Sequence, residues 1–120
     1  MKIEAIAAVC HEANRRYCKE IGDDRHKPWE EAPWWQRQSA IAGVMFIIQH
    51  PKAPASRQHE EWVKYKIEAG WKYGPLLNEE EKTHPDIRLY EDLSDQQKVK
   101  DRLFRSIVLA LTQGDEHAYG

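Results

Sequence analysis

The sequence predicts a mainly α-helical domain: four helices, with one long, aromatic-rich loop between the third and the fourth. Three observations carry that reading. Apolar residues recur at three- and four-residue spacing in four separate segments, as in helices that bury one face. Gly22, Pro33, Pro51, Pro54 and Gly70 fall at the borders of those segments, where such residues end or start helices. Residues 71–93 have no helical period, yet they hold a tryptophan and two tyrosines. At 120 residues and 14.1 kDa the chain has the size of one domain. Residues 1–113 are assigned to it, and 114–120 to a mobile tail.

The first helix covers 2–21, "KIEAIAAVCHEANRRYCKEI", with Ile3, Ile6, Cys10, Ala13, Tyr17 and Ile21 as its apolar stripe. Gly22 is the expected stop, and "DDRHKPWEEAP" then reads as a polar loop. Pro33 suits the first turn of a second helix, "WWQRQSAIAGVMFIIQH". Trp35, Ile41, Val44, Met45 and Ile48 mark its inner face, and Trp34, Trp35 and Trp62 are expected to pack in the core. Ser56 stands where the third helix needs an N-cap. On that helix His59, Trp62, Val63, Lys66 and Ile67 share a side before Gly70. The loop that follows is expected to be ordered, because Trp71, Tyr73, Leu76, Leu77, Ile87, Leu89 and Tyr90 offer apolar area to bury. Within it "IRLYEDL" alternates weakly and allows a short extended segment. "SDQQ", from Ser94 to Gln97, is a capping box that opens the last helix. There Val99, Leu103, Ile107 and Leu111 repeat every four residues, and Gly114 is the expected end.

Composition removes several function classes. The longest apolar run, Ala40 to Ile48, is far below the ~20 residues of a membrane span. The N-terminus has charged residues where an export signal needs an apolar core, so the cytoplasm is the expected location. The formal charge is −2 and nearly balanced along the chain, which disfavours general DNA binding. Cys10 and Cys18 lie eight positions apart on one helix, ~12 Å at 1.5 Å per residue, too far for a disulfide. Two reduced thiols packed in the core are expected. No histidine pair has zinc spacing and no Cys-x-x-Cys occurs, so no metal site and no cofactor are expected. Neither a Gly-rich phosphate loop nor a nucleophile-type turn is present, and catalytic residues are not expected.

Two groups of residues remain as candidates for binding. His11 and Arg15 share one helix face at i, i+4, which suits either an anion or pairing with an acidic group inside the chain. Trp71 and Tyr73 stand beside Lys66, Lys82 and His84. Aromatic faces stack on flat rings and nearby cations neutralise phosphate. The same crowding would also serve a loop pinned to the core by its own rings.

The stretch "HEEWVKYKIEAGWKYGPLLNEEEKTHPDIRLYEDL" resembles the RyR domain, the short repeat named after ryanodine receptors. The resemblance rests on Trp62, Lys66, Gly70, Trp71, Tyr73, Gly74, Lys82, His84, Pro85, Tyr90 and Leu93, and covers residues 59–111. "CHEANRRYC" and "APWWQRQSA" look like the bacterial and phage forms; Leu89 departs from the proline many members have there. The resemblance implies a compact four-helix module with short extended segments and no catalytic residues. It also implies a binding role, because nucleotide or nucleotide-derived ligands have been proposed for stand-alone prokaryotic forms. In that reading Trp71 and Tyr73 line a pocket, Lys66, Lys82 and Arg15 meet phosphate, and His84 orients a polar edge. A protein-interaction module without a small ligand is the alternative, and a nucleotide-processing enzyme the third reading. Receptors carry the repeat in linked pairs, so a homodimer is expected of a single copy.

Overall fold

A computed structural model describes residues 1–117, with side chains described through 112. Its four helices are α1 (Ile3–Glu20), α2 (Trp34–Gln49), α3 (Ala55–Glu68) and α4 (Asp95–His117). A 3-10 turn at Trp29–Glu31 joins α1 to α2, and another at Tyr90–Asp92 precedes α4. Between α3 and α4 lie two short parallel strands, β1 (Lys72–Tyr73) and β2 (Thr83–His84), paired Lys72 to Thr83 and Tyr73 to His84. Among the described residues no helix is long and apolar enough to cross a membrane.

The core is where α1, α2 and α4 meet. Ile6, Ala7 and Cys10 from α1 pack with Val44 and Ile47 from α2 and Val108 from α4, and Trp29 closes one end. Both cysteines are free and buried, as expected. The Cys10 thiol donates to the Phe104 carbonyl of α4 at 3.7 Å, and burial pushes its pKa up to about 12.

Helix ends follow the local chemistry in most places. Both α1 and α3 close on a glycine with a left-handed backbone, Gly22 at φ 93° and Gly70 at φ 92°. A side chain is strained in that region, so glycine is favoured there. Each glycine N–H and the next residue's N–H reach back to the last-turn carbonyls, Asp23 to Cys18 at 2.8 Å and Trp71 to Lys66 at 2.9 Å. Ser94 caps α4 by accepting the Gln97 N–H at 3.1 Å, but the Gln97 amide turns to Asp101 rather than back to the cap. Ser56 does not cap α3. Pro54 holds the cap position and Ser56 lies inside the first turn. The last helix also runs on through Gly114 to His117; residues 118–120 of the expected tail lie outside the described residues.

The buried faces of the helices differ from the expected ones at several positions. On α2 the buried positions are Ser39, Val44 and Ile47, while Met45 and Ile48 are exposed. Apolar residues lie almost all round that helix, so the period gives no face. On α4 a four-residue repeat advances 400° per step, ~40° beyond a full turn, and drifts off the face within three steps. Val99 and Leu111 accordingly face solvent, and Val108 is the buried residue. Ile3 and Ile21 at the ends of α1, and Ile67 on α3, are exposed in the same way. Trp34 is 69% exposed, against its expected core position. In the loop Trp71 and Ile87 are buried, but Tyr73, Leu76, Leu77 and Leu89 are not. Trp29, in the segment read as a polar loop, is buried and donates its N–H to Glu12 at 3.2 Å.

Candidate functional site

Lys66 lies in the last turn of α3, and its side chain is only 1% exposed. The Gly70 turn bends the chain back so that Trp71 returns over it. The Lys66 ammonium nitrogen is 4.8 Å from the Trp71 ring centre, 4.5 Å from that of Trp35 on α2, and 5.9 Å from that of Trp62 one helical turn earlier. Trp35 and Trp71 are themselves 4.9 Å apart at 49°. Three indole faces therefore surround one ammonium, the arrangement in which a cation is drawn to the ring quadrupoles.

Those rings do not supply hydrogen-bond acceptors. Among the described residues no side chain or carbonyl accepts from the Lys66 ammonium, and no carboxylate pairs with it. Burial without a counter-charge pulls its pKa from 10.5 down to about 8. The amine is still mostly protonated at pH 7. The buried indole N–H of Trp35 has no acceptor either. Both groups line one cleft of about 330 Å³, walled also by Trp34, Trp71, Glu79 and Lys82. That volume lies at the small end of the range for small-molecule sites. The exposed Trp34 ring stands at the cleft as a free stacking surface.

The other expected site residues divide. Lys82 is at the cleft, but one of its N–H bonds goes to the Ala69 carbonyl at the end of α3, 3.0 Å away. His84 packs edge-on to Trp62 at 5.0 Å and to Trp71 at 6.4 Å, behind the cage rather than in the cleft. Its Nδ1 accepts the Asp86 N–H at 3.1 Å, and burial lowers its pKa. It is therefore a neutral packing ring with its proton on Nε2.

Tyr73 is not in the cleft. It stands under the Arg88 guanidinium at 5.3 Å, accepts from it at 3.2 Å, and lines a shallower depression of about 510 Å³ with Ile87, Arg88 and Asp92. Arg88 there already donates to the carbonyls of Pro85 and Asp92, so that surface holds no comparable unmet charge. Arg15 and His11 are elsewhere too. Arg15 pairs with Glu12 at 2.8 Å, holding that carboxyl below its usual pKa, and His11 bonds the Lys27 carbonyl at 2.6 Å and packs on Trp29. Arg15 thus meets an acidic group of the chain itself, while His11 meets a backbone carbonyl. Trp34, Trp35, Gln38, Tyr65, Ala69 and Glu79 complete the cleft, and the sequence does not point to them. One signal was available: a lysine in the middle of an aromatic helix side, four residues after Trp62.

Residues 48–113, more than half of the 120-residue chain, match the RyR domain. The chain belongs to the RyR domain family. The match takes in α3, both strands, the second 3-10 turn and most of α4, so Lys66, Trp71 and Lys82 are residues of the RyR domain proper. Trp34 and Trp35, which close the cleft, come from the part of α2 before the match begins. Membership is consistent with a binding or interaction module.

Proposed function

We propose that this RyR domain is a non-enzymatic binding module for a small, flat, anionic ligand of the nucleotide class, acting in signalling or phage–host conflict. One observation carries the reading: Lys66, an almost wholly buried residue whose ammonium has no protein acceptor, opens on a cleft with tryptophan walls. An isolated buried charge is costly, and a ligand phosphate would supply the missing counter-charge and hydrogen bonds. Trp34, Trp35 and Trp71 offer ring faces for a base, and Lys82 has further donors at the cleft. Glu79 accepts hydrogen bonds, which suits an exocyclic amine and keeps the phosphate toward Lys66.

A thermal-shift panel of nucleosides, nucleotides and cyclic nucleotides tests this. Nucleotides should raise the melting temperature of the wild type and leave Lys66→Met unmoved. Equal shifts from nucleosides, or a full shift in Lys66→Met, would remove Lys66 as the anion site. Mass analysis of the recovered ligand should find it unchanged; conversion would make the chain an enzyme.

A second reading, a protein-interaction module, is favoured by the exposed Tyr73, Leu76, Leu77 and Leu89. These apolar side chains supply a surface for self-association, and a homodimer through them is part of the proposal. Sedimentation finding only a 14 kDa species at high micromolar concentration would exclude it.

A further inference from the structure

At the opposite end of α1 from its first turn, three potential metal ligands converge. The Cys18 thiol, an Asp23 carboxylate oxygen and an imidazole nitrogen of His26 all lie within 4.8 Å of one another. Asp23 and His26 are already 3.5 Å apart, Oδ2 to Nε2. From the geometry we infer a binding site for a zinc-class divalent cation, made by Cys18, Asp23 and His26 with the fourth coordination position left to water. The spacing, Cys-x4-Asp-x2-His, is no recognised zinc pattern, which is why pair spacing in the sequence points to no metal. The glycine turn at the end of α1 makes the set: the Asp23 N–H bonds the Cys18 carbonyl at 2.8 Å and draws the two side chains together.

The donor chemistry selects the cation. One sulfur, one imidazole nitrogen and one carboxylate oxygen suit zinc or cobalt and not calcium or magnesium, which take oxygen ligands. Tetrahedral bonds of roughly 2.0–2.3 Å place ligand atoms ~3.3–3.7 Å apart, so the set has to close by about an ångström on binding. Binding releases the Cys18 proton to solvent. Thiolate and carboxylate then cancel the two charges of the cation.

A support for the carboxylate is in place. Arg25 holds Asp23 through Nε to Oδ1 at 2.8 Å and through Nη2 to Oδ2 at 3.0 Å. Only the second contact has to open, and the Arg25 side chain is 84% exposed, so it moves freely. Oδ1 stays on Arg25 and orients the ligand oxygen, as outer-shell partners commonly do. The metal would fasten the end of α1 to the segment that delivers Trp29 into the core.

Titration of the full, untagged chain with Co²⁺, and with Zn²⁺ in competition, tests the site. The expected result is one equivalent per chain with a thiolate-to-cobalt charge-transfer band, and a higher melting temperature with Zn²⁺. Cys18→Ser should abolish the band and Cys10→Ala should keep it. Because Cys18 is buried, the half-exposed His26→Gln provides an independent arm, with affinity at least tenfold weaker in a chain that folds normally. Absence of the band, its loss with Cys10→Ala instead of Cys18→Ser, or unchanged affinity in His26→Gln would each overturn the assignment.

Discussion

Lys66 carries a charge that burial opposes. Its folded pKa, about 8 against the ordinary 10.5, reflects burial of the charged form. Between those values the folded chain binds fewer protons than the unfolded chain, so stability rises with pH across that window. Below pH 8 the whole penalty is present, at most about 3.5 kcal/mol at ~1.4 kcal/mol per unit. Cys10 acts the other way: its thiol stays protonated to about pH 12 when folded against 9.0 when free, so its contribution is lost as pH rises from 9. The difference between wild type and Lys66→Met isolates the lysine. At pH 7 Lys66→Met should be more stable by ~1–3 kcal/mol, since an apolar chain of similar length removes an unpaired buried charge. That advantage should vanish between pH 8 and 10.5. Urea titrations at pH 7, 8.5 and 10 check it; a less stable Lys66→Met at pH 7 would mean the tryptophan cage stabilises the cation outright.

At the scale of elements, the end of α3 joins the fold to the site. Trp71→Ala removes a buried indole and should destabilise by ~3–5 kcal/mol, as large-to-small core changes do. Lys82→Ala loses its bond to the Ala69 carbonyl, and with it a favourable charge at a helix C-terminus, so a loss of ~0.5–1 kcal/mol is expected. Lys82 therefore supports the fold as well as standing at the cleft. Chemical denaturation of the two variants separates these sizes. On α4, Asp101 faces α3 with one carboxylate oxygen unpaired, and burial raises its pKa to about 6. The folded state holds that proton more tightly than the unfolded, so Asp101 penalises stability as pH rises through 6. Asp101→Asn should gain ~1–2 kcal/mol at pH 7 and nothing at pH 3, where both side chains are neutral. All four helices were legible because caps, glycine stops and prolines act through neighbouring residues. Their inward faces were less so, because the all-round apolar surface of α2 and the drifting repeat of α4 leave the choice to tertiary packing.

At the scale of the whole molecule, the cleft exists only because α2 crosses α3. Lys66, Trp71 and Lys82 are close in sequence and were visible as a group; Trp34 and Trp35 stand about thirty residues earlier and reach the lysine only through the fold. The same folding sends Tyr73 to a different surface from Trp71, two residues away, and keeps Arg15 with Glu12. This separation gives the last prediction. If the cleft binds an anion and the exposed leucines carry self-association, the two functions sit on different side chains and should respond independently, as separate sites without shared partners do. The double variant Leu76→Ser, Leu77→Ser should sediment as a monomer while keeping its nucleotide-dependent thermal shift. Lys66→Met should lose the shift while keeping the wild-type sedimentation profile. Losing one charge-assisted contact costs roughly 1.5–3 kcal/mol, tenfold or more in affinity, so the loss is well within reach of a thermal assay. If both variants lose both properties, ligand and partner use one surface, and the division between cleft and leucine face is wrong.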